Sequence, residues 1–322
     1  MSSKQQRVLL TGATGFVGSA VQQRIITDEQ YALTIAVRRP VAAPSAVSVV
    51  QVPELTAHTD WREALQGVDV VVHSAARVHV MNETSADPLA EFRKVNVEGT
   101  LALARQAASA GVQRFVFVSS IKVNGEGTEL GQPYSADTLA NPSDPYGVSK
   151  YEAEQALLAL AQETGLEVAI IRPVLVYGPG VKANFRSMMK WVQRGVPLPL
   201  GAIHNKRSLV ALDNLVDLIL TCAKHPAAIN QVFLASDGED LSTTQMLQHL
   251  GVALDKKARL VPVPMSWLNL GFTLLGKKSF TQRLCGSLQV DISKNQQLLG
   301  WTPPMSVNDA MRKTAAAYLA ES

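Results

Sequence analysis

Two hydrophobic periods alternate along the first half of the chain. Short apolar runs rich in β-branched residues, at Arg7–Leu10, Leu33–Val37, Val68–His73, Arg114–Val118 and Glu167–Arg172, predict strands. Between them Gly15–Thr27, Leu89–Ala110 and Tyr146–Thr164 carry apolar residues at helical spacing. The strand runs are apolar at consecutive positions, which predicts burial on both faces beneath helices. Strand and helix in alternation predict βαβ units, hence an α/β fold with a doubly wound parallel sheet. Such sheets bind ligands beyond the C-terminal ends of their strands.

After about residue 173 the texture changes. Pro173, Pro179, Pro197, Pro199, Pro262, Pro264, Pro303 and Pro304 punctuate shorter elements. The pattern predicts a nucleotide-binding domain over 1–173 and a smaller substrate-binding lobe over 174–322. A strand at Gln231–Ala235 is expected to return to the main sheet, so the two parts interleave.

Composition narrows the class. The 322 residues are 47% hydrophobic and 18% charged, ordinary for a globular protein, and exclude disorder, collagen or coiled coil for the whole chain. Thirty basic against 27 acidic residues do not call for a nucleic-acid partner. Two cysteines, Cys222 and Cys285, build neither a disulfide framework nor a zinc site. The six histidines, at 58, 73, 79, 204, 225 and 249, show no metal-ligand spacing. His73 is expected in the core. No stretch reaches the ~18 apolar residues of a spanning helix. The polar N-terminus runs straight into a strand, which predicts a cytoplasmic protein.

Thr11-Gly-Ala-Thr-Gly-Phe-Val-Gly18 follows the first strand and opens a helix. Glycines at 12, 15 and 18 let the backbone turn tightly and approach a diphosphate at the helix N-terminus. That placement predicts a Rossmann-type dinucleotide site. At the end of the second strand a carboxylate would accept from a ribose hydroxyl, whereas arginine accommodates a 2′-phosphate. Here the strand ends Val37-Arg38-Arg39, which favours NADP(H), with NAD(H) possible and a solvated arginine face as the alternative.

Tyr146 and Lys150 stand one helical turn apart in Tyr-Gly-Val-Ser-Lys. An ordinary tyrosine has a pKa of ~10, so proton transfer near neutrality needs a shift of about three units, roughly 4 kcal/mol. A neighbouring ammonium and a cationic nicotinamide push in that direction. Ser119 and Ser120 follow Arg114–Val118, where a hydroxyl can bond the reacting oxygen. Gly-x-Ser-x-Gly is absent, which excludes a serine-hydrolase elbow.

These pieces, with His73-Ser-Ala-Ala76, Asn96-Val-Glu-Gly-Thr100, Arg172-Pro173 and Tyr177-Gly-Pro179, resemble the extended short-chain dehydrogenase/reductase family, in its nucleotide-sugar epimerase/dehydratase branch. The resemblance covers nearly the whole chain. It implies that Ser120 and Tyr146 contact the reacting hydroxyl or carbonyl and that Lys150 holds the nicotinamide ribose. Gly12, Thr14, Gly15, Phe16, Val17, Gly18, Ala75, Ala76, Asn96, Ser119, Pro173 and Val176 would line the cofactor, and Glu54-Leu55 would sit near adenine. Asn184, Arg207 and Arg283 would bind a substrate diphosphate, Arg207 by a bidentate fork. Pro199-Leu200 would offer backbone groups to the base, and His79 and Lys122 could reach the sugar. A surface salt bridge is the alternative for each diphosphate candidate.

Departures refine the expectation. The family's 4,6-dehydratases follow the catalytic hydroxyl with Asp-Glu, but Ile121 and Lys122 stand here, so water elimination lacks its acid and base. Leu175 occupies the place of a usual asparagine. The expected reaction is NADP(H)-dependent reduction of the C4 ketone of a UDP-linked 6-deoxy-4-keto-N-acetylhexosamine, for surface-polysaccharide (O-antigen) synthesis. The alternative is a 4-epimerase of a UDP-hexose or UDP-N-acetylhexosamine with bound NAD. A polyprenyl-diphosphate-linked sugar is a variant of that alternative, with the apolar Leu260–Phe280 touching a membrane surface. A non-catalytic dinucleotide sensor would not need Ser120, Tyr146 and Lys150 together. A homodimer through Leu89–Ala110 and Tyr146–Thr164 is implied by the resemblance.

Overall fold

Consecutive residues of the central strands point to opposite sides of the sheet, and both sides are apolar. Val8 and Leu10 of β1 (Gln6–Thr11), Val70 and Val72 of β4 (Val70–His73), and Val116 of β5 (Arg114–Val118) enter one core. Leu9, Val71, Phe115 and Phe117 enter another on the opposite face. Helices α1 (Phe16–Ile26) and α6 (Leu212–Lys224) cover the first face with Val21, Ile25, Leu215 and Ile219. Helices α3 (Thr100–Ser109) and α4 (Pro145–Thr164) cover the second with Leu103, Ala107, Ala153 and Leu157. Each such side chain contributes about 1.5–3 kcal/mol on burial. The computed structural model describes residues 5–78, 87–268 and 284–321.

The main sheet has seven parallel strands in the order β3-β2-β1-β4-β5-β6-β9. They include β2 (Tyr31–Val37), β3 (Val47–Gln51), β6 (Glu167–Pro173) and β9 (Gln231–Ala235). The strand order reverses at β1 and β4, a switch point of the kind that opens a ligand crevice. As expected, β9 returns to this sheet, pairing Ile171 with Phe233. The chain continues into a three-stranded sheet, β10-β8-β7, made of β7 (Leu175–Tyr177), β8 (Arg207–Ala211) and β10 (Asp240–Leu241). Its core gathers Tyr177, Phe185, Met188, Leu209, Leu247 and Met311.

Two details differ from the sequence expectation. Strand β3 was not expected; it is an edge strand with most of its residues at least partly exposed, so it lacks the continuous apolar run that marks buried strands. The helix expected over Leu89–Ala110 is instead α2 (Pro88–Arg93), a π-turn at Lys94–Gly99 and α3. That wider turn carries Asn96 into the interior, where it is 1% exposed.

Candidate active site

At the end of β1 the chain turns through Gly12, whose φ of +75° suits glycine. A Cβ on Gly12 would stand 2.7 Å from the Ala75 nitrogen, and one on Gly18 would stand 2.0 Å from the Gly12 oxygen. The loop and the start of α1 are therefore in direct backbone contact, which only glycine allows. Gly15 caps α1 without a side-chain hydrogen bond, leaving the first-turn N–H groups to a ligand.

This cradle opens into a cavity of about 850 Å³ lined by Gly12, Thr14, Gly15, Phe16, Val17 and Gly18 on one side. Arg38, Glu54 and Leu55 line its far end, and Ala75 and Ala76 its floor. Those expected cofactor residues are thus brought together. Trp61, Arg77, Glu91 and Lys94 also line it, and no sequence motif singles them out. A second cavity of about 570 Å³ adjoins this end, walled by Thr14, Arg38, Arg39, Pro40 and Val41.

Four of the expected cofactor residues have other surroundings. Asn96 accepts from the Arg77 N–H at 2.8 Å and donates to the Arg77 carbonyl and Ser149 Oγ, both at 3.0 Å. With its amide spent this way, it braces the groove without lining it. Ser119 is buried and donates to Glu154, because adjacent extended residues face opposite ways and only Ser120 faces Tyr146. Pro173 lies at the buried end of β6, and Val176 is half-buried in β7.

The Tyr146 phenol is pushed up to about 12, first by burial and then by the Asp144 carboxylate, against a smaller lowering by the neighbouring Ser120 hydroxyl. One turn along α4, Lys150 is 1% exposed with its ammonium 4.0 Å over the Phe117 ring. Burial brings Lys150 down to about 7, opposed by the charge of Glu154. Burial thus favours the neutral form of both groups, so a phenolate here needs added positive charge. His73, fully buried, bridges Thr11 at 2.7 Å and Thr100 at 3.0 Å. Burial holds it near 3, so it braces the core as a neutral ring.

Behind these groups lies a buried network that sequence reasoning missed. Glu154, 0% exposed, sits one further turn along the face carrying Tyr146 and Lys150. Arg172 of β6 forks onto it, with Nε 3.0 Å from Oε1 and a terminal nitrogen 2.5 Å from Oε2. The other terminal nitrogen donates to Asn124 Oδ1 at 3.0 Å. The signal was present: an acid at i+4 from a buried lysine, on an apolar helix face, requires a partner.

The substrate side matches the expectation less well. Lys122 is ion-paired with Asp144 and with Glu126 at 2.9 Å. Asn184 is exposed at the start of α5 (Ala183–Gln193). Pro199 is exposed, while the Leu200 carbonyl accepts from Thr244 at 2.6 Å, so that acceptor is engaged within the lobe. Arg207 begins β8, half-buried, and donates to the Gly286 carbonyl at 3.0 Å. Arg283, His79 and most of Leu260–Phe280 lie outside the described residues. Among the described residues, no cluster of three or more His, Cys, Asp or Glu could hold a metal ion. No described helix is long and apolar enough to cross a membrane.

The profile of the NAD dependent epimerase/dehydratase family matches residues 8–235. The chain is 50% identical over 313 residues to a UDP-glucose 4-epimerase of Vibrio cholerae, covering 97% of this chain and 95% of that one. It is 26% identical over 324 residues to the N-acetyl-alpha-D-glucosaminyl-diphospho-ditrans,octacis-undecaprenol 4-epimerase of Escherichia coli O157:H7, covering 95% and 93%. In fold it is similar to a solved UDP-glucuronic acid 4-epimerase from Bacillus cereus in complex with NAD, with a TM-score of 0.78 at 20% identity over 98% and 99% of the two chains. The matched span holds the glycine cradle, Ser120, Tyr146 and Lys150 alike, and the chain belongs to the NAD dependent epimerase/dehydratase family.

Proposed function

We propose that this protein is a UDP-hexose 4-epimerase with a resident nicotinamide dinucleotide, in which Tyr146 moves the C4 hydroxyl proton. The Ser120 hydroxyl beside the Tyr146 phenol, one turn before the buried Lys150, carries the reading. The 50% identity to a UDP-glucose 4-epimerase supports epimerisation, so the ketoreductase expected from the sequence gives way to its alternative. Dehydration stays disfavoured: Ile121 is buried and Lys122 is a paired cation.

The glycine cradle and groove fit a dinucleotide, because added Cβ atoms at Gly12 and Gly18 would fill the approach a diphosphate needs. When bound, that group supplies a hydride acceptor for C4 and a positive ring charge. Gly12 to Gly18 and the N-terminus of α1 hold the diphosphate. Ser120 donates to O4, and Tyr146 takes the O4 proton and returns it once the sugar presents its other face. In its protonated form Lys150 places an ammonium beside this exchange, stabilising the phenolate.

The purified enzyme should interconvert UDP-glucose and UDP-galactose with no added reductant. Stoichiometric NADPH oxidation on a UDP-4-keto sugar, without epimerisation, would restore the reductase.

For the cofactor's adenosine end, the family's description supports NAD, and Glu54 is an exposed acid in the groove for a ribose hydroxyl. Arg38 and Arg39 support acceptance of a 2′-phosphate as well. Both are exposed, neither guanidinium bonds a described residue, and both wall the adjoining cavity. Changing both to Ala is expected to weaken NADP⁺ about tenfold by calorimetry and leave NAD⁺ nearly unchanged. Equal loss for both dinucleotides would make the arginines a solvated face. Partly exposed Leu101 on α3 and Leu158 on α4 support pairing with a second copy there.

A further inference from the structure

We propose that Lys122 is a positioning residue for Tyr146, setting both the placement and the charge of the helix start that carries the phenol, rather than a contact to the sugar. This rests on Tyr146 as the proton-transfer group. Ser120 opens a short 3-10 turn, Ile121–Val123, its Oγ accepting the Lys122 N–H at 3.3 Å. The Lys122 ammonium pairs with the carboxylate of Asp144. Asp144 is in turn the N-cap of α4, accepting the Gly147 N–H at 2.6 Å. Gly147 lies directly on the Lys122 carbonyl, where a Cβ would stand 2.8 Å from the oxygen. The Ser120 turn and the first turn of α4 therefore meet along one seam, crossed by the backbone contact and the ion pair.

Charge follows the same seam. Asp144 stabilises the neutral phenol, and Lys122 offsets that carboxylate in a partly buried setting where screening is weak. Among the described residues, the other charged groups near the phenol are paired. On α4 itself are Lys150 and Glu154, with Glu154 neutralised by Arg172 and Glu152 paired to Arg93 of α2. From the turn come Ser120 and Glu126, which bonds Lys122. From α2, Phe92 packs edge-on at 6.0 Å, with Arg77 over its ring and paired to Glu91. Lys122 is the described cation on this seam that pairs with Asp144.

The test is a charge cycle read two ways. In Lys122→Met the Asp144 carboxylate loses the Lys122 ammonium, so phenolate formation and the rising limb of the kcat profile should move up by about one pH unit. Lys122→Arg should hold the limb in place. Asp144→Asn, which keeps a good helix cap, should not raise it. Lys122→Met with Asp144→Asn should return it toward wild type, since the pair is coupled. The second readout is phenolate absorbance of each variant minus its Tyr146→Phe counterpart, which needs no substrate. A raised Tyr146 titration restored by the double change supports the proposal even if UDP-hexoses are not turned over. A raised KM with the limb unmoved would make Lys122 a sugar contact. A pH-independent loss that Asp144→Asn does not relieve would make it structural only. Either result overturns the proposal.

Discussion

Tyr146→Phe is expected to lower kcat by about a thousandfold, with the fold and dinucleotide affinity little changed. The ring would keep its edge-on packing against Phe92, and only the hydroxyl beside Ser120 is lost, a stability cost of about 1 kcal/mol. Among the described residues, neither His73 nor Lys122 can substitute. His73 is held near 3 and is sealed between Thr11 and Thr100, and Lys122 is committed to two carboxylates. Single-turnover assays beside a calorimetric titration of NAD⁺ would separate chemistry from binding. Retained turnover would remove Tyr146 from proton transfer.

Arg172→Met should have the largest effect on stability. Glu154 is fully buried, and the Arg172 fork supplies most of its hydrogen bonds. Removing the cation leaves an uncompensated interior charge and an orphaned Asn124 oxygen, at a cost of about 3–5 kcal/mol. Urea denaturation followed by far-ultraviolet circular dichroism measures it. The paired change Arg172→Met with Glu154→Leu should recover much of the loss, because an apolar pair of similar volume carries no stranded charge. A loss below about 1 kcal/mol in the single variant would mean that water reaches Glu154 and that the pair is not sealed.

How much of this was legible depends on how locally each feature is encoded. Strands β1, β4, β5 and β6 announce themselves because Val8-Leu9-Leu10 and their counterparts fill two cores at once. Edge strand β3 faces solvent with Ser48 and Val49, so its run looks like a loop. Tyr146 and Lys150 are readable because a helical turn is fixed geometry. Ser119 was expected at the cofactor, but side chains reverse direction at each extended residue, and its hydroxyl is turned away from Ser120's side onto Glu154. Asn96 was placed near the right groove, but its amide is spent on Arg77 and Ser149. The partner of Lys122 lies 22 residues on, beyond any local rule. Reading Lys122 as a sugar contact therefore missed Asp144.

Strand β9 also constrains how this protein can be rebuilt. The chain leaves the seven-stranded sheet after Pro173, re-enters it at Gln231–Ala235 and leaves again. Specificity therefore cannot be transplanted as one cassette. An exchange with a relative takes two splices, one on each side of β9, with the strand itself left in place. A fragment stopping at residue 173 would bare the N–H and C=O groups of β6 that now bond β9, a template for sticking to its own copies. The two halves of the chain share one sheet, and neither can be traded without the other's edge.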